Sequence, residues 1–330
     1  MEGKVLVTGA GGYIGNVLCR LLLDNGYEVR ALDTYYFGED RLPSQDANLE
    51  IVKGDIRFVE SSIMDGVGAI IDLAAISNDP AGELDPVKTW SINHLGRFRM
   101  ASLGKARGVR RYILPSSCSI YGFQDETVNE QSPVNPLTTY AKANLAAEND
   151  ALSLSSDEFC VTVIRQATVY GLSQRMRFDL AVNGMTKGFF LNGKIPILKD
   201  GTQWRPFVHV KDTSWAMMLL LQTDHKEING QIFNVGSNFQ NYQIFDLAEK
   251  VAEGQGIPFD YEWYGEPDHR SYQVNFDKMS QLLDFEPEFA AQDGAREVRK
   301  SLDSGELDPN DPTTITLGWY KHIIEEGEFV

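Results

Sequence analysis

The sequence predicts an α/β fold built on a doubly wound parallel sheet. Three observations predict it. Short apolar runs of strand length alternate with stretches of helical periodicity up to about residue 172. Strands in such an alternation run parallel, and helices cover both faces of their sheet. A glycine-rich turn joins the first apolar run to the first helical stretch. Beyond residue 172 the alternation loosens, and proline, glycine and aromatic residues crowd "NGKIPILKDGTQWRPFVHVKD". A second α/β domain over 173–330, smaller and interleaved with the first, is therefore expected, with later segments returning to the domain of residues 1–172.

The elements follow in order. "KVLVT" reads as the first strand. In "YIGNVLCRLLLDNG" the residues Ile14, Leu18, Leu21 and Leu22 share one helical face. "EVRALD", "LEIVKGDI", "GAIIDLAA", "RRYILPSS" and "CVTVIRQATVYG" read as further strands. Between them, "PVKTWSINHLGRFRMASLGKARG" reads as helix. Later, "QIFNVGS" gives a strand, and "QIFDLAEKVAEGQG" and "LGWYKHIIEEG" give helices.

Composition narrows the function. The chain has 330 residues, 42% apolar and 23% charged, enough for a sizeable core. A net charge of −17 argues against non-specific binding to nucleic acid or an anionic membrane. Cys19, Cys118 and Cys160 are widely spaced with no CxxC pair, so neither structural zinc nor a disulfide framework is indicated. No metal is expected. The N-terminus shows no cleavable signal pattern and no window reaches the length of a membrane span. These readings predict a cytoplasmic, soluble protein.

Gly9, Gly12 and Gly15 lie between the first strand and the first helix, with Tyr13 and Ile14 opening that helix. Small residues there let the backbone approach a pyrophosphate, whose charge the helix N-terminus meets. Asp33 ends the next strand, where a carboxylate can accept hydrogen bonds from a ribose diol and would repel a 2′-phosphate. The pattern predicts a Rossmann-type NAD-binding domain, with NAD favoured over NADP. Asp55 and Ile56 follow the third strand, where Asp55 reads as an adenine contact or as a helix N-cap. Ala74 and Ala75 are small where backbone would pass near the cofactor. Asn93 lies in a helical stretch that asparagine disfavours, and reads as a cofactor contact or a buried polar bridge.

Taken together, "TGAGGYIG", "GDIR", "LAA", "PSSCSIYG", "NPLTTYAKANLAAE", "IRQATVYG", "GTQWRPFVHVKD" and "FNVGS" resemble, in order, the extended short-chain dehydrogenases/reductases, the group of nucleotide-sugar epimerases and dehydratases. "HRSYQVNFDKM" and "FEP" extend the likeness to about residue 287. The resemblance implies NAD on the first domain and a nucleotide-diphosphate sugar against the second. It implies that Ser117 holds a sugar hydroxyl and that Tyr140 exchanges that hydroxyl's proton while hydride moves to or from the nicotinamide. Tyr140 would also lie beside the cofactor. Asn183, Arg205 and Arg270 match substrate-binding positions, and arginine forks suit a diphosphate. Arg175, Arg177 and Lys187 are weaker candidates. His209 with Asp212 could form an acid–base pair, although the resemblance makes that stretch mainly structural. Tyr170 is a candidate wall of the sugar pocket. A homodimer through the helix bearing Tyr140 is also implied, with its alanines allowing close packing.

One position departs from the pattern. The family carries a lysine four residues after the tyrosine, and here Asn144 stands there. A helix turns about 100° per residue, so residue 144 shares the face of Tyr140 while Lys142 points roughly the opposite way. Without a lysine the phenolate is less favoured. Three readings stay open: a slower or more alkaline enzyme polarised by NAD⁺ alone, a cation reaching in from elsewhere, or binding kept and redox chemistry lost. The two residues after Ser117 are Cys118 and Ser119, where the dehydratases carry an acid–base pair. The expected activity is therefore an NAD-dependent nucleotide-sugar epimerase acting through a transient keto sugar. The alternatives are a dehydratase or reductase using Cys118 as an acid, and a catalytically impaired NAD-binding protein.

Overall fold

The computed structural model describes residues 3–268 and 270–329. A seven-stranded sheet forms the frame of the first half. Its strands are β1 (Lys4–Thr8), β2 (Val29–Asp33), β3 (Leu49–Lys53), β4 (Val67–Asp72), β5 (Arg111–Ser117), β6 (Cys160–Gln166) and a last strand, Gln231–Val235. Their spatial order is Gln231–Val235, β6, β5, β4, β1, β2, β3, and β1 to β5 pair in parallel. The order reverses beside β1, which makes the carboxyl ends of β1 and β4 the place where such sheets receive ligands. β1, β4, β5 and β6 are buried almost throughout, as strands covered on both faces must be. Leu6, Ile70, Leu114, Val161 and Val163 pack there with Met100 and Phe159 into one core.

Helices on this sheet's N-terminal portion include α1 (Tyr13–Asp24), α2 (Asp79–Gly82), α3 (Pro86–Trp90), α4 (Arg97–Ala106) and α5 (Thr139–Ser153). The expected continuous helix over residues 86–108 is interrupted by a π-helical turn, Ser91–Gly96. The interruption has a cause. The buried Asn93 amide accepts from Ile76 N–H at 2.8 Å and donates to Ile76 C=O at 3.0 Å, tying the helix to the loop after β4.

The chain divides into two compact units. The first comprises residues 1–120, 136–165 and 214–233, the second 121–135, 166–213 and 234–330. The single strand expected over "CVTVIRQATVYG" is two: β6 ends at Gln166, and Thr168–Tyr170 belongs to another sheet. In the second unit that strand runs parallel to Trp204–His209, whose other edge pairs antiparallel with Asn241–Gln243. Ile195–Leu198 and Tyr261–Tyr264 form a parallel pair. Helices Ala181–Asn192, Ile244–Gln255 and Ala291–Asp303 contribute Val182, Met185, Leu247, Val251 and Ala295 to a separate core with Ile195, Ile197 and Phe207. Among the described residues no helix is long and apolar enough to cross a membrane.

Candidate active site

The glycine turn is built for close approach. Gly9 has φ +66°, and a Cβ there would meet Leu73 C at 2.7 Å and Ala74 N at 2.8 Å. A Cβ on Gly15 would lie 2.2 Å from Gly9 O, so only glycine lets α1 start this near the turn. Gly12 precedes α1 in an extended conformation, and no side chain caps the helix. No acid occupies its first turn either, so the positive end of the helix is left for an anion. Tyr13 is buried and Ile14 half-buried in that first turn.

Asp33 closes the turn from the side. Its Oδ2 accepts Gly11 N–H at 2.9 Å and its Oδ1 accepts Tyr35 N–H at 2.8 Å. Burial pushes the Asp33 carboxyl above its usual range, while these amides and Thr34 hold it down. Asp55 has a neighbouring arginine as its partner. Its carboxylate grips Arg57, with Nη2 to Oδ2 at 2.5 Å, and also accepts Arg57 N–H at 2.8 Å. It caps no helix. Ile56 is buried, and a Cβ on Gly96 would meet its Cδ1 at 2.8 Å. Ala74 and Ala75 are half-buried after β4, and Ala74 N–H donates to Thr8 Oγ1 at 3.0 Å. Asn93 takes the bridging role already described.

The N-terminus of α5 is held by several side chains. Thr138 caps it, accepting Ala141 N–H at 3.1 Å. Its own hydroxyl donates to Asp79 of α2 at 2.5 Å. Glu83 accepts Thr139 N–H at 2.7 Å and the Thr139 hydroxyl at 3.0 Å. A Cβ on Gly82 would stand 3.0 Å from Tyr140 Cβ, so α2 rests directly against the tyrosine. These contacts fix where Tyr140 starts its helix.

Tyr140, Ser117 and Asn144 come together in the first unit. Burial, then the Asp79 carboxylate, pushes the Tyr140 phenol above its usual pKa. The positive charge of Arg97 and the side chains of Asn144 and Ser117 pull it down. Ser117 Oγ also accepts Ser119 N–H at 3.1 Å. Lys142 is exposed, as helical phasing requires. Asn144 is 1% exposed; its Oδ1 accepts Arg97 Nη1 at 2.9 Å, and its Nδ2 has no hydrogen-bond partner among the described residues.

The Cys118 thiol is buried beside Ser117 in sequence and donates to the Arg165 carbonyl at 3.3 Å. The Ser119 hydroxyl is buried without a partner among the described residues.

The second unit gathers the predicted arginines. Asp268 stands between them, 2.9 Å from Arg205 Nη2 and 2.6 Å from Arg270 Nη2. Burial raises the Asp268 carboxyl, but the Arg270 hydrogen bond and both guanidinium charges win and hold it at about 2. Arg205 also donates to Trp204 C=O at 2.8 Å and lies over the Tyr272 ring. Asn183 is fully buried, accepting Gly171 N–H at 3.0 Å and donating to Arg177 C=O at 3.0 Å. Both bonds shape a loop of the second unit. Arg177 pairs with Asp179 at 2.5 Å, the Arg175 guanidinium is buried with Nη2 on Thr316 at 3.1 Å, and Lys187 lies over the Phe178 ring. The Tyr170 hydroxyl is likewise internal, donating to Gln240 at 2.7 Å.

The suggested His209–Asp212 pair is replaced by another. His209 meets Glu297 at 2.7 Å, while Asp212 accepts the amides of Glu288 and Phe289 at 3.0 and 3.2 Å. Both are structural. Among the described residues no cluster of His, Cys, Asp or Glu could hold a metal, and Cys19, Cys118 and Cys160 are free and buried.

Arg97, Asp268 and Asp79 were not singled out from sequence. Arg97 carried a signal: Asn93, Arg97, Met100, Ala101 and Gly104 share one helical face, so a charge falls on a buried stripe.

The strand order, the glycine turn with Asp33, and the Ser117–Tyr140 pair define a dinucleotide-binding protein of the extended short-chain dehydrogenase/reductase class. The description "NAD dependent epimerase/dehydratase family" matches residues 5–236, and the chain belongs to that family. A UDP-glucose 4-epimerase of Lactobacillus helveticus is 28% identical over 278 residues, covering 78% of this chain and 83% of its own. A UDP-glucuronate 4-epimerase of Thermodesulfobacterium geofontis is 27% identical over 326 residues, covering 92% and 98%. Among solved structures, MoeE5 in complex with UDP-glucuronic acid and NAD superposes with a TM-score of 0.81 at 26% identity, over 92% of this chain and 100% of that one.

Proposed function

We propose that this chain is a 4-epimerase of a nucleoside-diphosphate sugar, with a uridine diphosphate sugar as first candidate. The observation that carries the reading is the Tyr140 phenol with the Ser117 hydroxyl beside it, at the start of a helix pinned by Thr138, Asp79 and Glu83. The similarity to two 4-epimerases supports the choice of reaction.

The turn of Gly9, Gly12, Tyr13, Ile14 and Gly15, with Asp33, fits NAD: it offers a backbone cradle that a Cβ would fill, an uncapped helix start and a carboxylate beside it. Bound there, NAD supplies the acceptor of a sugar hydride and then its donor. Tyr140 takes the proton from the sugar hydroxyl as the carbonyl forms and returns it to the inverted alcohol. Ser117 holds the same oxygen, keeping proton transfer short. Within the second unit, Arg205 and Arg270 flank Asp268 with forks suited to phosphate oxygens. No carboxylate follows Ser117, and Cys118 is turned to a main-chain carbonyl, which favours epimerisation over elimination.

A homodimer belongs to the proposal. Ala141, Ala143, Ala147 and Ala151 of α5 are buried inside their own chain, so they offer no seam. The support is instead Val87, Trp90 and Leu95, which are exposed on the segments packed against α5, at 80%, 38% and 57%. Light scattering reads this, and a monomer at micromolar concentration rejects it.

The test of activity is incubation with UDP-, GDP-, CDP- and dTDP-sugars, with and without NAD⁺, read by proton NMR. A C4 epimer without net NADH is expected. A deoxy-keto sugar would move the assignment to a dehydratase. No turnover across the panel, with NAD binding confirmed, would overturn the proposal.

A further inference from the structure

We infer that Arg97, held by Asn144, is the positioning residue that supplies the cationic field on Tyr140, and that Asn144 is therefore half of a relocated charge rather than a loss. The inference rests on Tyr140 being the acid–base group of the proposed reaction.

The geometry is specific. Arg97 is 4% exposed and begins α4. Its Nε donates to Ala74 C=O at 3.0 Å and its Nη1 to Asn144 Oδ1 at 2.9 Å. One bond ties it to the segment after β4, the other to the helix of Tyr140. Asn144 lies one turn beyond Tyr140 on the same face. A lysine at that place would bring its own charge, but would also meet the Arg97 guanidinium. Asparagine offers an oxygen to the guanidinium, and its amide nitrogen is buried and unpartnered among the described residues. The residue type that looks like a defect is one that can accept from a buried arginine at this distance.

The charges around the phenol are accountable. Asp79 of α2 opposes phenolate formation, and Arg97 favours it. Glu83 is engaged with Thr139, His94 with Asp150, and Glu148 with Arg165. Asp72, at the end of β4, also feels Arg97. Burial pushes its carboxyl up, and its oxygens accept Thr8 and Tyr112 hydroxyls at 2.5 and 2.6 Å.

The test reads Tyr140 directly, without a sugar. Protein carrying 3-fluorotyrosine is titrated by fluorine NMR, with and without NAD⁺, and the Tyr140 signal is assigned by its loss in Tyr140→Phe. Arg97→Met is expected to raise the Tyr140 pKa by about one unit or more, the size of effect a nearby charge exerts. Should that variant fold poorly, Asn144→Asp keeps the shape and the Arg97 hydrogen bond while adding a negative charge, and the same upward shift is expected. Arg97→Met with Asn144→Lys should bring the pKa back toward wild type, and Asn144→Lys alone should raise no activity. With a turnover assay in hand, the acid limb of the pH–rate profile should move with the titration. A Tyr140 pKa unchanged in Arg97→Met and in Asn144→Asp would overturn the inference. A failed sugar panel with the shifts present would reject the function and leave the charge relocation standing.

Discussion

Breaking the buried ion pair between Glu148 of α5 and Arg165 of β6 should cost more stability than almost any other single change. The two side chains are 1% and 5% exposed. Arg165 Nη2 reaches Glu148 Oε2 at 2.8 Å and Nε reaches the same oxygen at 3.1 Å, while the Ser116 hydroxyl donates to Oε1 at 2.5 Å. Glu148→Leu leaves a guanidinium in the core without this counter-charge and removes this acceptor from the hydroxyl. A buried pair broken on one side loses about 3–5 kcal/mol. Arg165→Met should lose a comparable amount. The double variant should be much milder than the sum, because two apolar side chains of similar bulk replace a pair that was itself expensive to desolvate. With an m-value of about 2–3 kcal/mol per molar, each single variant should shift the urea midpoint down by about 1–2 M. Circular dichroism and tryptophan fluorescence read the transition. Single variants within about 0.5 kcal/mol of wild type, or strictly additive effects, would refute this account.

Three further outcomes are expected. Gly15→Ala, whose methyl would lie 2.2 Å from Gly9 O, should weaken NAD⁺ binding at least about tenfold, by calorimetry on folded protein; unchanged affinity would refute the close-approach argument. Asp33→Asn should weaken NAD⁺ by about ten- to a hundredfold while narrowing the preference over NADP⁺, which a pair of titrations checks. Glu297 is raised by burial but brought to about 2 by His209, Lys211 and the Leu172 amide. A depressed carboxyl stabilises the fold above its unfolded pKa and loses that stability as pH falls through the folded value. Glu297→Gln should therefore be about 1–2 kcal/mol less stable at pH 7, the exposed part of the side chain discounting the full shift, and the gap should close as pH falls from about 4.5 toward 2. An equal gap at pH 7 and pH 3 in urea melts would refute it.

What the sequence showed and what it hid divide along a physical line. The glycine turn and Asp33 sit in a local run whose spacing carries the geometry, whereas Ser117 and Tyr140 were legible through the resemblance of their motifs to a family. The alternation of strands and helices likewise exposed the sheet. Arg97 and Asn144 are 47 residues apart, and only the packed sheet brings them together. Asp268 could be read only once Arg205 and Arg270 were seen to converge on it. Asn183 and Asn93 each bridge backbone groups of another segment, which sequence spacing alone does not reveal. The π-helical turn escaped periodicity because its cause, Ile76, lies on another element. The break after Gln166 escaped because strand-forming residues continue straight through it.

The last strand of the large sheet has a consequence for synthesis. Gln231–Val235 closes the edge beside β6, yet it leaves the ribosome well after Cys160–Gln166. At ordinary elongation rates the wait is on the order of 3–13 s. During that interval the β6 edge is bare in the nascent chain, rich in β-branched residues and open to pairing with a neighbour. Slow codons between these two strands would lengthen the exposure, and a holdase that shields strand edges would shorten its cost.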